Sequence, residues 1–385
     1  MKSILITACE SSAENYGADL VREFKKLHPD VHFYGIGGKK MQKQGVELVY
    51  PIQKLSLIGI FEVFLSIPRI LKILNNTIKE TKKRNAASAV LIDAPDFNLR
   101  LARKLKKHSI PVLYYISPTV WAWRKKRLKT IQKYINKMML IFPFEERIYK
   151  EKRIPAVFVG HPLVKKTSTS MTRQHFFEKH GINSKQRLIT LLPGSRKSEV
   201  RNHLPVLVQA AEKIKKKYNC HFILKLSENI EKKDVIRYLD SHLSSITILS
   251  QDGCESMAYS DLVLSSCGTA NLETALLGTP LISFYRISPL SFHMGKRMVK
   301  IKHFSIVNIL AGKKVITELI QKDFNPQSLY EHVSKILDSP EVQKKMKSEF
   351  RKIRQELGEK DAAANAAKQL ERFIFPDVSA APDLH

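Results

Sequence analysis

A loop that could hold an anion follows the apolar run Ile189–Leu192. Its sequence, PGSRKSE, places Gly194, Ser195 and Arg196 directly after a predicted strand. A glycine lets the backbone approach an anion closely, a hydroxyl and backbone amides can donate to it, and an arginine can bind phosphate through two parallel hydrogen bonds. Glu199 lies at the start of the next helix, whose positive end also favours phosphate. This loop alone is equally compatible with a plain strand-to-helix turn and a solvated arginine.

A second loop of the same kind, SSCGTANLETALLGTP, follows the apolar run Leu262–Ser265. Gly268 and Thr269 begin a helix whose amides would face an anion. Glu273 lies one turn further on, where its carboxylate could accept hydrogen bonds from the two hydroxyls of a ribose; helix capping is the alternative. Because ligands bind at the carboxyl ends of strands in open α/β sheets, the two loops together predict a nucleoside diphosphate site. No GxxxxGKS motif is present, so ATP is not implied.

A carboxylate suited to proton transfer follows another apolar run, in the stretch LIDAPDFN. Asp93 comes just after the predicted strand and is a candidate general base, a role that contributes roughly 10²–10⁴ in rate. Asp96 fits better as the cap of a helix that begins at Asn98, so we assign it to the scaffold.

Aromatic residues and cations lie together in the stretch SPTVWAWRKKR. Trp121 and Trp123 stand beside the four cations Arg124–Arg127. This combination suits an amphipathic ligand, a membrane edge or a single-stranded nucleic acid, and two core anchors are the alternative.

The segment Leu55–Leu74 is far more apolar than an ordinary surface helix. Pro68 interrupts it and basic residues follow, which argues against a helix that spans a membrane. We interpret it as an interfacial segment or a groove for acyl chains, with a fully buried core helix as the alternative. The residues assigned to the membrane or to acyl chains are Ile60, Phe61, Val63 and Phe64.

The elements that must position these residues are short apolar strands that alternate with amphipathic helices, the pattern of a parallel, doubly wound sheet. The pattern restarts near Leu188 after a polar linker, Gly160–Phe176. We therefore expect an α/β fold of two Rossmann-like domains that face a cleft. The expected domains are residues 1–165, residues 166–345, and a helical tail, 346–385, that packs back on the first domain or exchanges with a partner.

Composition narrows the partners. The chain has 385 residues and a formal net charge of +29, which favours an anionic partner such as a phosphorylated substrate, an acidic membrane surface or nucleic acid. A lysine-rich proteome would give the same excess. Four scattered cysteines form no CxxC pair, so a zinc site is not expected. No cofactor is expected either. The N-terminus reads as a first strand rather than a signal peptide.

At this point the residues resemble a known family. The stretches IDAPDFN, YYISPTVWAWRKKR, FPFEE, FVGHPL, LLPGSRKSEV, GTANLE, YRISPLSF and VNILAG are similar to those of the lipid-A-disaccharide synthase family, which are glycosyltransferases of the GT-B fold. The resemblance covers nearly the whole chain. It implies an inverting transfer from UDP-2,3-diacylglucosamine to 2,3-diacylglucosamine 1-phosphate (lipid X), which gives a β-1,6-linked disaccharide and UDP.

The resemblance also implies roles for single residues. Asp93 falls on the family's proposed base, Arg196 on its diphosphate-binding arginine and Glu273 on its ribose carboxylate. Gly268 and Thr269 fall in the diphosphate loop, and Asn308 matches an asparagine near the nucleotide. The family implies no metal. It implies a cytoplasmic enzyme attached to the inner membrane surface through the region of Phe61, and it leaves a homodimer open.

The first loop departs from the family pattern A-G-E-x-S-G-D. Glu10 and Ser12 are kept as substrate-binding residues, whereas Cys9 and Ala13 replace glycines and Glu14 replaces an aspartate. Cys267 replaces a serine before Gly268. These changes leave the acceptor open, so another GT-B enzyme acting on a UDP-sugar, an epimerase included, is the first alternative. A nucleic-acid-binding protein is the second, and no RRM, KH or helix-turn-helix signature supports it.

Overall fold

A computed structural model describes residues 2–52, 63–122, 124–239, 246–250, 252–287, 302–358 and 360–376 of the chain. It divides into two compact units. The first unit comprises the chain up to Pro162 together with the residues from Leu357 onward, and the second is Leu163–Glu356. The boundary expected at 345/346 falls inside the continuous helix Pro340–Leu357. The expected linker holds a short helix, Leu163–Lys166, and part of another, Arg173–Lys179.

The first unit is built on one parallel sheet of seven strands in the order β3-β2-β1-β4-β5-β6-β7. The strands are β1 (Ser3–Ala8), β2 (His32–Gly37), β3 (Val46–Pro51), β4 (Ser88–Ile92), β5 (Val112–Tyr115), β6 (Lys137–Leu140) and β7 (Ala156–Phe158). The two edge strands, β3 and β7, were not predicted. Glu47 breaks the apolar pattern of β3, and β7 is only three residues long.

The second unit repeats this topology with six parallel strands in the order β10-β9-β8-β11-β12-β13. The strands are β8 (Arg187–Leu192), β9 (Cys220–Lys225), β10 (Ile246–Leu249), β11 (Leu262–Ser266), β12 (Leu281–Tyr285) and β13 (Thr317–Ile320). The half-buried edge strand β13 was missed for the same reason as β3.

Helices cover both faces of the first sheet. Alternate residues of β1 enter different cores: Ile4 and Ile6 lie in one apolar cluster and Leu5 lies in the other. The helices of that unit are Ser11–Leu27, Lys39–Lys43, Val63–Lys83, Pro95–Lys106, Arg127–Tyr134, Glu145–Glu151 and Ala362–Ile374. Those of the second unit are Leu163–Lys166, Arg173–Lys179, Lys197–Lys215, Lys232–Ile236, Glu255–Ala258, Thr269–Leu276, Ile306–Ala311, Pro326–Leu337 and Pro340–Leu357.

The last described helix packs on the first unit of its own chain. Asp361 caps it by accepting hydrogen bonds from the amides of Ala363 and Ala364, each at 3.1 Å. Its buried residues Ala366 and Leu370 join the same core cluster as Leu20 of helix Ser11–Leu27. This tail therefore completes a core that the N-terminal residues begin.

The apolar segment is only partly covered by the structure. Ile60 and Phe61 lie outside the described residues, and Val63 and Phe64 lie in the first turn of helix Val63–Lys83. Pro68 was expected to interrupt the segment, but it lies inside this helix and does not end it. Among the described residues, no helix has the length and apolar character needed to cross a membrane.

Candidate active site

The first loop of the second unit is shaped around Glu199. Gly194, directly after the turn at Pro193, has a φ of +132°, a backbone conformation that side chains rarely allow. A Cβ added to Gly194 would lie 2.5 Å from the Oε2 atom of Glu199. Glycine is therefore required here by a close approach inside the protein.

Glu199 occupies the amides that were expected to face an anion. Its Oε2 accepts hydrogen bonds from the backbone amides of Ser195 and Arg196, at 2.8 and 3.3 Å. Its Oε1 lies 3.0 Å from the guanidinium of Arg196. In this conformation the buried carboxylate of Glu199 already holds these two amides. The Arg196 side chain remains 71% exposed, so it can meet a ligand.

The second loop lies at the same sheet edge, because β11 pairs directly with β8. Gly268 and Thr269 are exposed, and a Cβ added to Gly268 would meet nothing within 4 Å. The glycine is therefore not needed for packing and leaves one side of the loop open. Glu273 is half-buried one turn into helix Thr269–Leu276, and the thiol of Cys254 lies 3.5 Å from its Oε1.

The amide of Asn308 is fully used by protein partners. Its oxygen accepts from the amides of Val315 and Ile316, at 2.7 and 2.9 Å. Its nitrogen donates to the carbonyl of Ile316 at 3.0 Å and to Glu318 at 2.9 Å. Because the residue is also completely buried, this arrangement makes Asn308 a brace for its loop rather than an open donor.

Asp93 is held in an unusual backbone conformation at the end of β4. Asp93 and Ala94 have φ values of +49° and +43°, which are uncommon for residues other than glycine. The Asp93 carbonyl accepts hydrogen bonds from the buried side chain of Asn98, at 2.7 Å, and from the hydroxyl of Tyr114. The oxygen of the Asn98 amide accepts from Thr7 of β1 at 2.8 Å. These clamps explain how the strand end can keep its shape.

Neither Asn98 nor Tyr114 was predicted from the sequence to have a role. The only signal for Asn98 was a polar residue on the buried side of a helix, and for Tyr114 there was none beyond its place in a strand.

The electrostatic surroundings of Asp93 suit a base. Burial, followed by the negative charge of Glu10, raises the pKa of its carboxyl to about 6, although a hydrogen bond from the backbone of Ala94 and the charge of Arg127 oppose the rise. Glu10 follows β1, whose Ala8 pairs with Ile92 of β4, so the two carboxylates leave adjacent strand ends. Burial raises the pKa of the Cys9 thiol well above its usual range, and the negative charges of Glu10 and Asp93 add to the rise.

The altered first loop is accommodated without strain. Ala13 lies inside helix Ser11–Leu27 and is buried in the core, and neither it nor Cys9 adopts a positive φ. Glu14 accepts a hydrogen bond from the Lys40 amide at 2.7 Å, beside Gly38. Ser12 is exposed on the first turn of the same helix. The replaced residues therefore fit this fold, and they place Cys9 rather than glycine beside Asp93.

Asp96 is not a helix cap. Ala94 occupies the capping position of helix Pro95–Lys106, and Asp96 is the second residue of the helix. Its carboxylate pairs with Arg124 at 2.8 Å and with Arg127 at 2.6 Å. Asp96 is therefore a scaffold residue for a different reason, because it holds the arginine-rich stretch.

Trp121 is half-buried and donates a hydrogen bond to Glu145 at 3.3 Å. Burial raises the pKa of Glu145 to about 8, so this carboxyl is largely uncharged at neutral pH. Trp123 lies outside the described residues.

Solved structures with this architecture define the fold. The calicheamicin glycosyltransferase CalG4 aligns with a TM-score of 0.67 at 13% identity, over 99% of this chain and 100% of that chain. A UDP-GlcNAc 2-epimerase from Neisseria meningitidis, bound to UDP-GlcNAc, aligns with a TM-score of 0.63 at 11% identity, over 98% and 100% of the two chains. At such identities the likeness shows the fold alone, which is the GT-B fold with its two parallel, doubly wound sheets.

Sequence comparison gives the family. Residues 4–372 match the family model described as Lipid-A-disaccharide synthetase. A lipid-A-disaccharide synthase of Myxococcus xanthus is 35% identical over 376 residues, which cover 97% of this chain and 98% of the relative. One of Syntrophus aciditrophicus is 38% identical over 371 residues, which cover 95% and 96%. The chain belongs to the lipid-A-disaccharide synthetase family, as its motifs predicted, and is a hexosyltransferase of lipid A biosynthesis.

Proposed function

We propose that this enzyme transfers a 2,3-diacylglucosaminyl group from UDP to the 6-hydroxyl of 2,3-diacylglucosamine 1-phosphate. The observation that carries the proposal is the carboxylate of Asp93 at the end of β4, with its pKa raised to about 6. A carboxylate of that basicity is about nine-tenths ionised at pH 7, yet it accepts a proton more readily than an ordinary aspartate. An acceptor hydroxyl needs such a base.

In the proposed reaction, Asp93 accepts the proton of the acceptor 6-hydroxyl. The oxygen of that hydroxyl then forms a bond to the anomeric carbon of the donor. The bond from that carbon to the UDP oxygen breaks with inversion, and the electron pair leaves with UDP. Cys9, whose thiol stays protonated beside Asp93, supplies no competing charge. Glu10 and Ser12, from the neighbouring loop, are proposed to contact the acceptor.

The second unit is proposed to hold the UDP moiety. Arg196 is the exposed cation of the first loop and would neutralise charge that develops on the leaving diphosphate. Gly268 and Thr269 offer an open helix start for the same group, while Glu273 would accept hydrogen bonds from the ribose. Gly194, Ser195 and Glu199 would set the shape of the arginine loop, and Asn308 would brace the neighbouring loop rather than touch the ligand.

We further propose that the enzyme attaches peripherally to the cytoplasmic face of the inner membrane. The net charge of +29 favours an anionic surface. Helix Val63–Lys83 supports the idea, since Leu71 is 43% exposed beside the exposed cations Arg69 and Lys72. Flotation with vesicles that contain anionic lipid should recover the wild type, and the double variant Phe61→Asp, Phe64→Asp should stay unbound. Equal flotation of both proteins would contradict this site of attachment.

The reaction itself is tested with the two lipid substrates in detergent, by following UDP release and product mass together. Disaccharide and UDP in a one-to-one ratio are expected. UDP release without disaccharide would mean that the acceptor is a different molecule, and the loop Cys9–Glu14 would be the first place to look. A failure to release any UDP would contradict the proposed donor.

A further inference from the structure

His203 is a buried residue for which the proposed reaction has no use. It lies in helix Lys197–Lys215, two turns after the arginine loop, and is completely shielded from solvent. Three aromatic rings surround it: Phe284 at 5.3 Å, Tyr285 at 5.6 Å and Phe324 at 5.6 Å between ring centroids. An imidazole enclosed in this way must satisfy both of its nitrogens with protein partners.

The two hydrogen bonds of His203 fix its tautomer. Its Nδ1 lies 2.6 Å from the carbonyl oxygen of Pro193, which can only accept, so Nδ1 carries the hydrogen. In the neutral ring Nε2 is then an acceptor, and the backbone amide of Arg286 donates to it at 2.9 Å. The Arg286 carbonyl, 3.1 Å from Nε2, has no hydrogen to receive in this tautomer.

These bonds join two segments that are far apart in sequence. Pro193 begins the arginine loop after β8, and Arg286 follows β12, two strands away in the same sheet. The guanidinium of Arg286 in turn donates to the carbonyl of Gln321, at 3.3 Å, and to that of Phe324. The imidazole thus connects the start of the arginine loop to a second anchored segment.

We infer that His203, as the neutral Nδ1–H tautomer, is a positioning residue that holds the arginine loop in its diphosphate-binding shape. The identity of the ligand, a diphosphate, rests on the proposed function. The bridge that His203 makes from Pro193 to Arg286 does not depend on it. A histidine that merely fills the core is the competing explanation. That explanation requires the ring volume but neither of the two hydrogen bonds.

The charge state of the ring follows from the groups that face it. Glu199, on the same helix, favours the protonated form, Arg286 opposes it, and the Tyr285 phenol faces the ring from the end of β12. Burial outweighs the rest and lowers the pKa of His203 below its usual value. Nε2 therefore stays unprotonated at neutral pH and keeps accepting from the Arg286 amide.

Three variants separate the bridge from the packing. His203→Phe keeps a ring of similar size and removes both bonds, while His203→Gln keeps a polar group near the position of Nε2. His221→Phe is the matched control, because His221 is a half-buried histidine of β9 that bonds to Thr247 at 2.8 Å, away from the arginine loop.

The first measurement is amide hydrogen exchange without ligand, over residues 193–200 and 283–287. Faster exchange in both segments of His203→Phe, with partial recovery in His203→Gln and no change in His221→Phe, is the expected result. Unchanged exchange in His203→Phe would overturn the bridge. This result does not depend on whether the protein binds UDP.

The second measurement is UDP affinity by calorimetry at pH 7.5. His203→Phe should bind UDP about tenfold more weakly at pH 7.5, the size expected for a lost buried hydrogen bond. Equal affinities of wild type and His203→Phe would overturn the positioning role. Absence of UDP binding by the wild type would instead remove the proposed donor and leave the bridge to be judged by exchange.

Discussion

The two units place opposite chemistry at the same topological position. In the first unit β1 and β4 are neighbours at the point where the strand order reverses, and in the second β8 and β11 are. Ligands of open α/β sheets bind at such points. The loops after β1 and β4 present the carboxylates of Glu10 and Asp93, whereas those after β8 and β11 present the guanidinium of Arg196 and an open glycine.

A glutamate near the start of a helix shows how this difference arises. Glu14, in the first unit, reaches a neighbouring helix and accepts from the Lys40 amide. Glu199, in the second unit, turns back on its own loop and binds the amides of Ser195 and Arg196. The carboxylate of Glu14 thus bonds to a residue outside the loop of Glu10. Glu199, in contrast, holds the loop from which Arg196 projects. The same fold therefore presents carboxylates at the strand ends of one unit and an exposed guanidinium at those of the other.

The largest effect should come from the carboxylate loop. Asp93→Asn removes the base and keeps the shape of the side chain, so kcat should fall by about 10²–10⁴ while UDP affinity stays near that of the wild type. Steady-state kinetics with calorimetry of UDP would separate the two quantities. Asp96→Asn is the control: that carboxylate is 74% exposed, and its loss should change kcat by only a few-fold. Comparable losses in both variants would refute Asp93 as the base.

A change in the arginine loop should affect the affinity for UDP more than any other quantity. Arg196→Ala should weaken UDP by about 10- to 100-fold, because a charged hydrogen-bond donor to the diphosphate is lost. Arg201→Ala controls for the change in net charge, because Arg201 is an exposed arginine of helix Lys197–Lys215, which follows the loop. If both variants bound UDP equally well, the assignment of the anion site to this loop would be wrong.

The residues changed in these tests can be predicted from the sequence, whereas many of their hydrogen-bond partners cannot. Asp93, Arg196 and Glu273 were assigned because each residue type follows an apolar strand, and the buried strands were predicted because they are apolar throughout. The partners of Glu199, the saturated amide of Asn308 and the bridge of His203 were not predicted. Those depend on hydrogen bonds between segments distant in sequence, which no local pattern encodes. The edge strands β3 and β13 escaped because Glu47 and Glu318 break their apolar runs.

The smallest effect concerns the tuning of Asp93 by its neighbour. Because Asp93 must be ionised to accept a proton, kcat/KM should fall about tenfold for each pH unit below about 6. Glu10 raises that pKa through its negative charge, so Glu10→Gln should move the midpoint of this acid limb to lower pH by about half a unit, whatever it does to acceptor binding. Glu14→Gln is the matched control, since its carboxylate belongs to the same helix but bonds to the Lys40 amide. A midpoint that moved upward in Glu10→Gln, or equally in both variants, would show that the two carboxylates do not act on each other across β1 and β4.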